Sequence, residues 1–293
     1  MSLTSVHPEF FVETEWLAQH LGDAGVRVLD CTQHLIPQPD NASNVIKSGL
    51  DDFEQGHIPG AAYVDLRREL SDHGNSKLNF MLPAPEQFAQ AMSRLGVGDD
   101  TLVVLYSTGN HQWATRVWWM LRVFGHDQAV VLNGGFQKWK REDRSVETGP
   151  GRTRQPSSFT SRLRPGLVAN KDQVLAAIGA GDVCTLNALR QDQHVGTAGV
   201  TYGRAGRIKG SINVPAISVV DENNVFRSVE ELRRMFARPL ATARVITYCG
   251  GGIAASSPTM ILTMLGHSNV QLYDASLGEW AADPSLPMQT GVD

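Results

Sequence analysis

The sequence predicts two tandem α/β domains, each a mainly parallel sheet with helices on both faces. Three observations carry that prediction. Short β-branched runs alternate with amphipathic stretches. Landmarks of the first half recur in the same order in the second. Between the halves, Arg144 to Pro165 is rich in Gly, Pro, Ser, Thr and Arg and lacks apolar periodicity, as an exposed connection should.

In chain order, Thr14 to Leu21 reads as a helix, Val26 to Asp30 as a strand and Pro85 to Leu95 as a helix. Leu102 to Tyr106 follows as a strand, Trp113 to Phe124 as a helix and Ala129 to Leu132 as a strand. The second half repeats the alternation, with strands at Val183 to Leu186, Val245 to Tyr248 and Val270 to Tyr273. Its clearer helices are Ser228 to Phe236 and Ala255 to Leu265. Near-continuous apolar strands separated by helices imply a parallel sheet covered on both faces.

The repetition is specific. Gly56-His57-Ile58-Pro59-Gly60-Ala61 is echoed by Gly206-Arg207-Ile208-Lys209-Gly210-Ser211, and Val103 to Ser107 by Val245 to Cys249. Gly125-His126 recurs as Gly266-His267, and Trp139 as Trp280. An interval of about 140 residues is too long for a solenoid unit and right for a duplicated domain. The expected division is 1–143, a linker at 144–165, and 166–293.

Composition narrows the function. With 26 Lys+Arg against 30 Asp+Glu, the net charge of −4 is small and the signs alternate along the chain, which argues against a nucleic-acid or membrane-surface partner. No apolar run approaches the ~20 residues of a membrane span, and Arg122 interrupts the greasy stretch from Val117 to Phe124. Met1 to Pro8 has neither a basic nor an apolar leader region, so the expected compartment is the cytoplasm. Cys31, Cys184 and Cys249 are too few and too scattered for a disulfide framework or a metal site.

The most informative segment is Tyr248-Cys249-Gly250-Gly251-Gly252-Ile253-Ala254-Ala255-Ser256. A buried strand ends at Tyr248, three glycines follow, and a run of small helix-compatible residues begins. Ligands of open α/β sheets sit at such strand ends. Glycines there let successive backbone N–H groups form a concave anion nest, to which a helix amino terminus adds partial positive charge. A thiolate is favoured at Cys249 in that field. Cys31 and Cys184, in or at the end of apolar strands without a glycine cradle, read as buried structural thiols.

The loop Cys249 to Ala255, the two Gly-x-Ile-x-Gly segments and the closing Leu272-Tyr273-Asp274-Ala275-Ser276-Leu277-Gly278-Glu279-Trp280 together resemble the tandem-domain rhodanese sulfurtransferases. The resemblance runs from Thr14 to Pro287. It implies an inactive first domain and a catalytic second one whose Cys249 carries a persulfide, cradled by Gly250, Gly251, Gly252, Ile253, Ala254 and Ala255. In the first copy the cysteine's place is taken by Ser107. The implied reaction moves sulfane sulfur from a small anionic donor, thiosulfate or 3-mercaptopyruvate, to a thiol, cyanide or protein-thiol acceptor. It calls for no metal or organic cofactor. The alternative is a persulfide-carrying relay or binding module that hands sulfur to a protein partner with little small-molecule turnover. A Cys-x5-Arg phosphatase loop is excluded, because its arginine would stand at Ala255.

Several positions depart from the family pattern. Gly251 stands where mercaptopyruvate-specific members carry serine, and Gln193 where a substrate-binding arginine would fall in Asn187 to His194. Glutamine offers a hydrogen bond but neither charge nor a bidentate fork. Compensating charge is expected from Arg190, Arg204 or Arg207, unless these belong to a solvated basic loop. Phe80, in Lys77 to Pro83, stands in place of a relay histidine. His57 reads as a turn anchor, and Trp118-Trp119 as core or domain-interface packing.

Overall fold

A computed structural model describes residues 7–37, 44–74, 78–151, 155–200 and 202–292. Met1 to Val6 of the expected leaderless terminus, Lys77 and linker residues 152–154 lie outside the described residues.

The first copy contains strands β1 (Phe11–Val12), β2 (Val26–Asp30), β3 (Gln33–Pro37), β4 (Asn44–Ser48), β5 (Ala62–Tyr63), β6 (Leu102–Tyr106) and β7 (Ala129–Leu132). Five of them form one all-parallel sheet in the order β1-β7-β6-β2-β5. The second copy contains β8 (Val168–Ala169), β9 (Val183–Asn187), β10 (Arg207–Ile208), β11 (Ile212–Asn213), β12 (Arg244–Tyr248), β13 (Val270–Tyr273) and β14 (Met288–Gln289). Its sheet, β11-β9-β12-β13-β8, is parallel throughout and has the same order read from the opposite edge. The central strands β6 and β12 each bury four of their five residues, as strands covered on both faces must. An antiparallel hairpin, β3 with β4, interrupts the first copy, and β10 pairs antiparallel with β14 in the second.

The helices bound the site. The helix Gln112–Val123 is buried nearly all round, and so is Ser256–Met264, because these two pack against each other across the boundary as well as on their own sheets. Thr115 Oγ1 lies 2.8 Å from Ser256 Oγ and 2.9 Å from Ser257 Oγ in that contact. Pro258 is accommodated because it falls in the first turn, where its missing N–H has no intrahelical duty. One apolar core runs through both copies, from Leu29 and Leu105 to Ile246 and Cys249. The expected Ser228–Phe236 helix is Val229–Met235, with Ser228 and Glu231 closing a capping box at its start.

The connection between the copies is exposed for most of its length yet fastened down. Arg162 and Arg164 donate their amides to Phe124 O and Val123 O, and Arg164 grips Asp127 with two bonds of 2.7 Å. That guanidinium holds the Asp127 carboxyl below its ordinary range.

Candidate active site

The two copies carry the same scaffold at the ends of β6 and β12. Tyr106 O accepts the amide of Cys31 at 2.9 Å, and Tyr248 O that of Ala188 at 2.8 Å. The tyrosine hydroxyls accept the amides of Ile58 at 3.4 Å and Ile208 at 3.1 Å, so the two Gly-x-Ile-x-Gly segments sit in equivalent places beside the central strands. After that point the copies diverge. In the first, Ser107 Oγ donates to Asn110 O at 2.6 Å, so the hydroxyl closes its own short loop. In the second, Cys249 opens a longer one.

The thiol-bearing residue is buried, with 2% of its surface exposed. Its amide donates to Ser276 Oγ at 3.0 Å, and its carbonyl accepts from Leu277 N at 3.1 Å. Gly250 O likewise accepts from Gly278 N at 2.8 Å. The start of the loop is thereby stapled to the helix Ser276–Trp280, whose first residue is left-handed at φ 52°. Beyond the staple, the amides of Gly250, Gly251, Gly252, Ile253, Ala254 and Ala255 have no hydrogen-bond acceptor among the described residues. Four of these six residues are buried, where an unpaired N–H is costly. The helix Ser256–Met264 then begins.

Each glycine is required to a different degree. A Cβ on Gly250 would run into the ring and hydroxyl of Tyr202. Gly252 has φ +79°, and a Cβ there would lie 2.6 Å from Asp274 Oδ1 and 2.8 Å from Arg116 Nη1. Gly251 is freer, its nearest neighbour being Asn79 O at 3.9 Å.

The first copy supplies a wall of this site. Asn79 faces Gly251, and Leu78 closes on Gly278 to 2.9 Å from the position of a Cβ. Leu82 N donates to Asp274 Oδ2 at 2.9 Å. Arg116, fully buried, pairs with Asp274 at 2.6 Å, donates to Gly252 O at 3.3 Å and to Phe80 O, and lies 4.6 Å above the Trp119 ring. Its charge is neutralised by Asp274, so the loop's own field comes from backbone dipoles.

Phe80, at φ 63°, is a buried core residue against Trp113 and offers Arg116 its carbonyl, so no side-chain relay passes through it. Trp118 and Trp119 are buried packing, and His57 anchors its turn through Phe53 O at 2.8 Å, as expected.

Among the residues expected to bind substrate, Gln193 is half-buried on the short helix Gln191–Val195, with its amide on Asp192 Oδ1. Arg190 is exposed and forked onto Asp192 at 2.9 and 3.1 Å. Arg204 and Arg207 require a correction. Arg204 donates to the carbonyls of Trp280, Ala281, Asp283 and Leu286, while Arg207 is fully buried and donates to Gly291 O at 2.6 Å. Both fasten the carboxyl-terminal segment, because backbone carbonyls and not solvent surround their guanidinium groups. Sequence reasoning missed Tyr202, Ser276 and the Arg116–Asp274 pair. The repeat held one clue, since left-handed Ser276 falls in the slot of left-handed Gly135.

The rhodanese-like domain profile matches residues 13–142 and 171–283. The chain belongs to the rhodanese family. It is 34% identical over 290 residues to a protein of Escherichia coli (strain K12) named 3-mercaptopyruvate sulfurtransferase, covering 96% of this chain and 98% of that one. It is 32% identical over 280 residues to the thiosulfate sulfurtransferase of Bos taurus, covering 92% and 91%. A crystal structure described as a 3-mercaptopyruvate sulfotransferase of Escherichia coli superposes with a TM-score of 0.79 at 32% identity, covering 91% of this chain and 98% of that one. Both sheets are thus rhodanese sheets, and only the second carries a cysteine after its central strand. Among the described residues no cluster could hold a metal ion, and no helix is long and apolar enough to cross a membrane.

Proposed function

We propose that this chain carries sulfane sulfur as a persulfide on Cys249, taking it from a small anionic donor and passing it to a thiophilic acceptor. The protein is a sulfurtransferase, of the thiosulfate or 3-mercaptopyruvate type by its relatives. The observation that carries the assignment to Cys249 is the run of six amides without a protein partner beside its thiol. Successive backbone N–H groups without a protein acceptor suit a negative charge, which is what the Cys249 thiolate and persulfide carry.

In the first displacement the Cys249 thiolate attacks the outer sulfur of the donor. The new S–S bond forms as the donor's S–S or C–S bond breaks, and that electron pair leaves with sulfite or with the enolate of pyruvate. The Cys249 persulfide lies in the amide nest until a nucleophile takes its outer sulfur and the Cys249 thiolate returns. Two displacements through one covalent intermediate give ping-pong kinetics. The other cysteines are unsuited: burial and neighbouring Asp30 push the Cys31 thiol far up, and burial pushes that of Cys184 up to about 11.

Intact-mass measurement tests this. Thiosulfate or 3-mercaptopyruvate should add one sulfur, about 32 Da, and cyanide or a thiol should remove it over repeated cycles. Cys249→Ser should abolish both adduct and turnover, while Cys31→Ser and Cys184→Ser retain them. Substantial turnover by Cys249→Ser would sink the assignment. An adduct discharged only to protein thiols would mark the chain as a relay.

A further inference from the structure

Tyr202 stands at the loop without a part in the displacements above. Its ring fills the Cβ direction of Gly250, so its hydroxyl lies against the backbone of the residue that follows Cys249. The side chain is half-buried, and its hydroxyl has no hydrogen-bond partner among the described residues. A donor that lies against the residue after Cys249 and is left unpaired is available to a ligand. Cys249 and the exposed Arg190 guanidinium are both near enough to act electrostatically on this hydroxyl. Burial first, then the Cys249 charge, push the phenol well above its ordinary range, so it keeps its proton.

We propose that the Tyr202 hydroxyl is the specificity-determining contact for the sulfur donor, hydrogen-bonding the oxyanion group carried next to the sulfur that is transferred. This rests on the sulfur-transfer reading above and names the recognition element of that site. As the donor's bond to sulfur breaks, the departing electron pair places charge on those oxygens. The hydroxyl donates to them without giving up its proton. A single neutral O–H selects by position and direction, where a guanidinium would select by charge.

The test uses the full-length, fully reduced protein and needs no turnover. Iodoacetamide alkylation of Cys249 is followed with increasing sulfate, a non-nucleophilic oxyanion, as the protecting ligand, in wild type and in Tyr202→Phe, which keeps the ring on Gly250. The expected result is that the sulfate concentration for half-protection rises about tenfold in the variant, the effect of losing one hydrogen bond to a charged acceptor. The unprotected alkylation rate should stay within about twofold, since the amide nest is untouched. Equal protection in the two proteins, or no protection in wild type, overturns the inference. So does a variant whose unprotected rate changes more, because the hydroxyl would then act on the thiol. The sulfur-transfer reading stands or falls separately, on the sulfur adduct of the wild-type protein.

Discussion

Arg116 and Asp274, 158 residues apart in sequence, form a fully buried ion pair that crosses from the first copy to the cysteine loop of the second. Each partner also holds backbone: Arg116 the carbonyls of Gly252 and Phe80, Asp274 the amide of Leu82. The pair therefore fixes the loop and its wall in one stroke.

Removing one partner should strand the other charge in the core. Asp274→Ala is expected to lower unfolding stability by about 3–5 kcal/mol and to lose most activity. Replacing both by apolar residues, Arg116→Met with Asp274→Leu, should recover much of the stability without the activity. Denaturant unfolding and turnover of the single and double variants check this. Residues 159–293 expressed alone would expose Asp274 and the apolar face of Ser256–Met264, and should be inactive or insoluble. A soluble, fully active fragment would refute the dependence.

The three glycines of the loop should respond unequally. Gly251→Ala meets nothing closer than Asn79 O at 3.9 Å and should keep kcat/KM within about threefold. Gly252→Ala forces a left-handed alanine into Arg116 and Asp274 and should lower kcat/KM by roughly tenfold or more. Comparable losses in the two would mean that glycine serves this loop only through general flexibility.

Asp30 offers a pH-dependent prediction. It is buried at the end of β2, where Asn187 stands at the end of β9, and both accept the amide two residues on, at 2.8 and 2.9 Å. Burial raises the Asp30 carboxyl from 3.8 to about 6, against the bonds from Thr32. A raised acid contributes stability that is fully present below pH ~4 and lost as pH rises through about 6. At neutral pH the ionised side chain is a burden. Asp30→Asn should therefore raise stability by about 1–2 kcal/mol at pH 7.5, with the gain vanishing toward pH 4. Unfolding midpoints at both pH values decide it, and a variant destabilised at pH 7.5 would contradict it.

Much of this was legible in the sequence because it is local. β2, β6, β7 and β13 have the bounds that their sequence runs predict, and Cys249 with its glycines lies in one unbroken segment. The duplication aligned Tyr106 with Tyr248 before any contact was known. The five-residue helices Gln191–Val195 and Ser276–Trp280 were illegible, being too short to show a period. So was the β3–β4 hairpin, which has no counterpart among the described residues of the second copy. Arg190, Arg204 and Arg207 are alike as sequence: what separates them is whether carbonyls or solvent surround the guanidinium, and that is a property of the folded chain. Tyr202 gave no signal, since its meaning lies in the missing Cβ of Gly250.

The wall formed by Leu78, Asn79 and Leu82 bears on how such a chain can change over generations. Duplicated halves drift apart freely only where neither needs the other. Here a substitution at Leu78 is inherited in the half without the cysteine and felt at Gly278 in the half that has it. Selection on the chemistry therefore reaches across the duplication. The half whose central strand gives way to Ser107 supplies part of the other's wall, so a lineage that discarded it would also discard that wall.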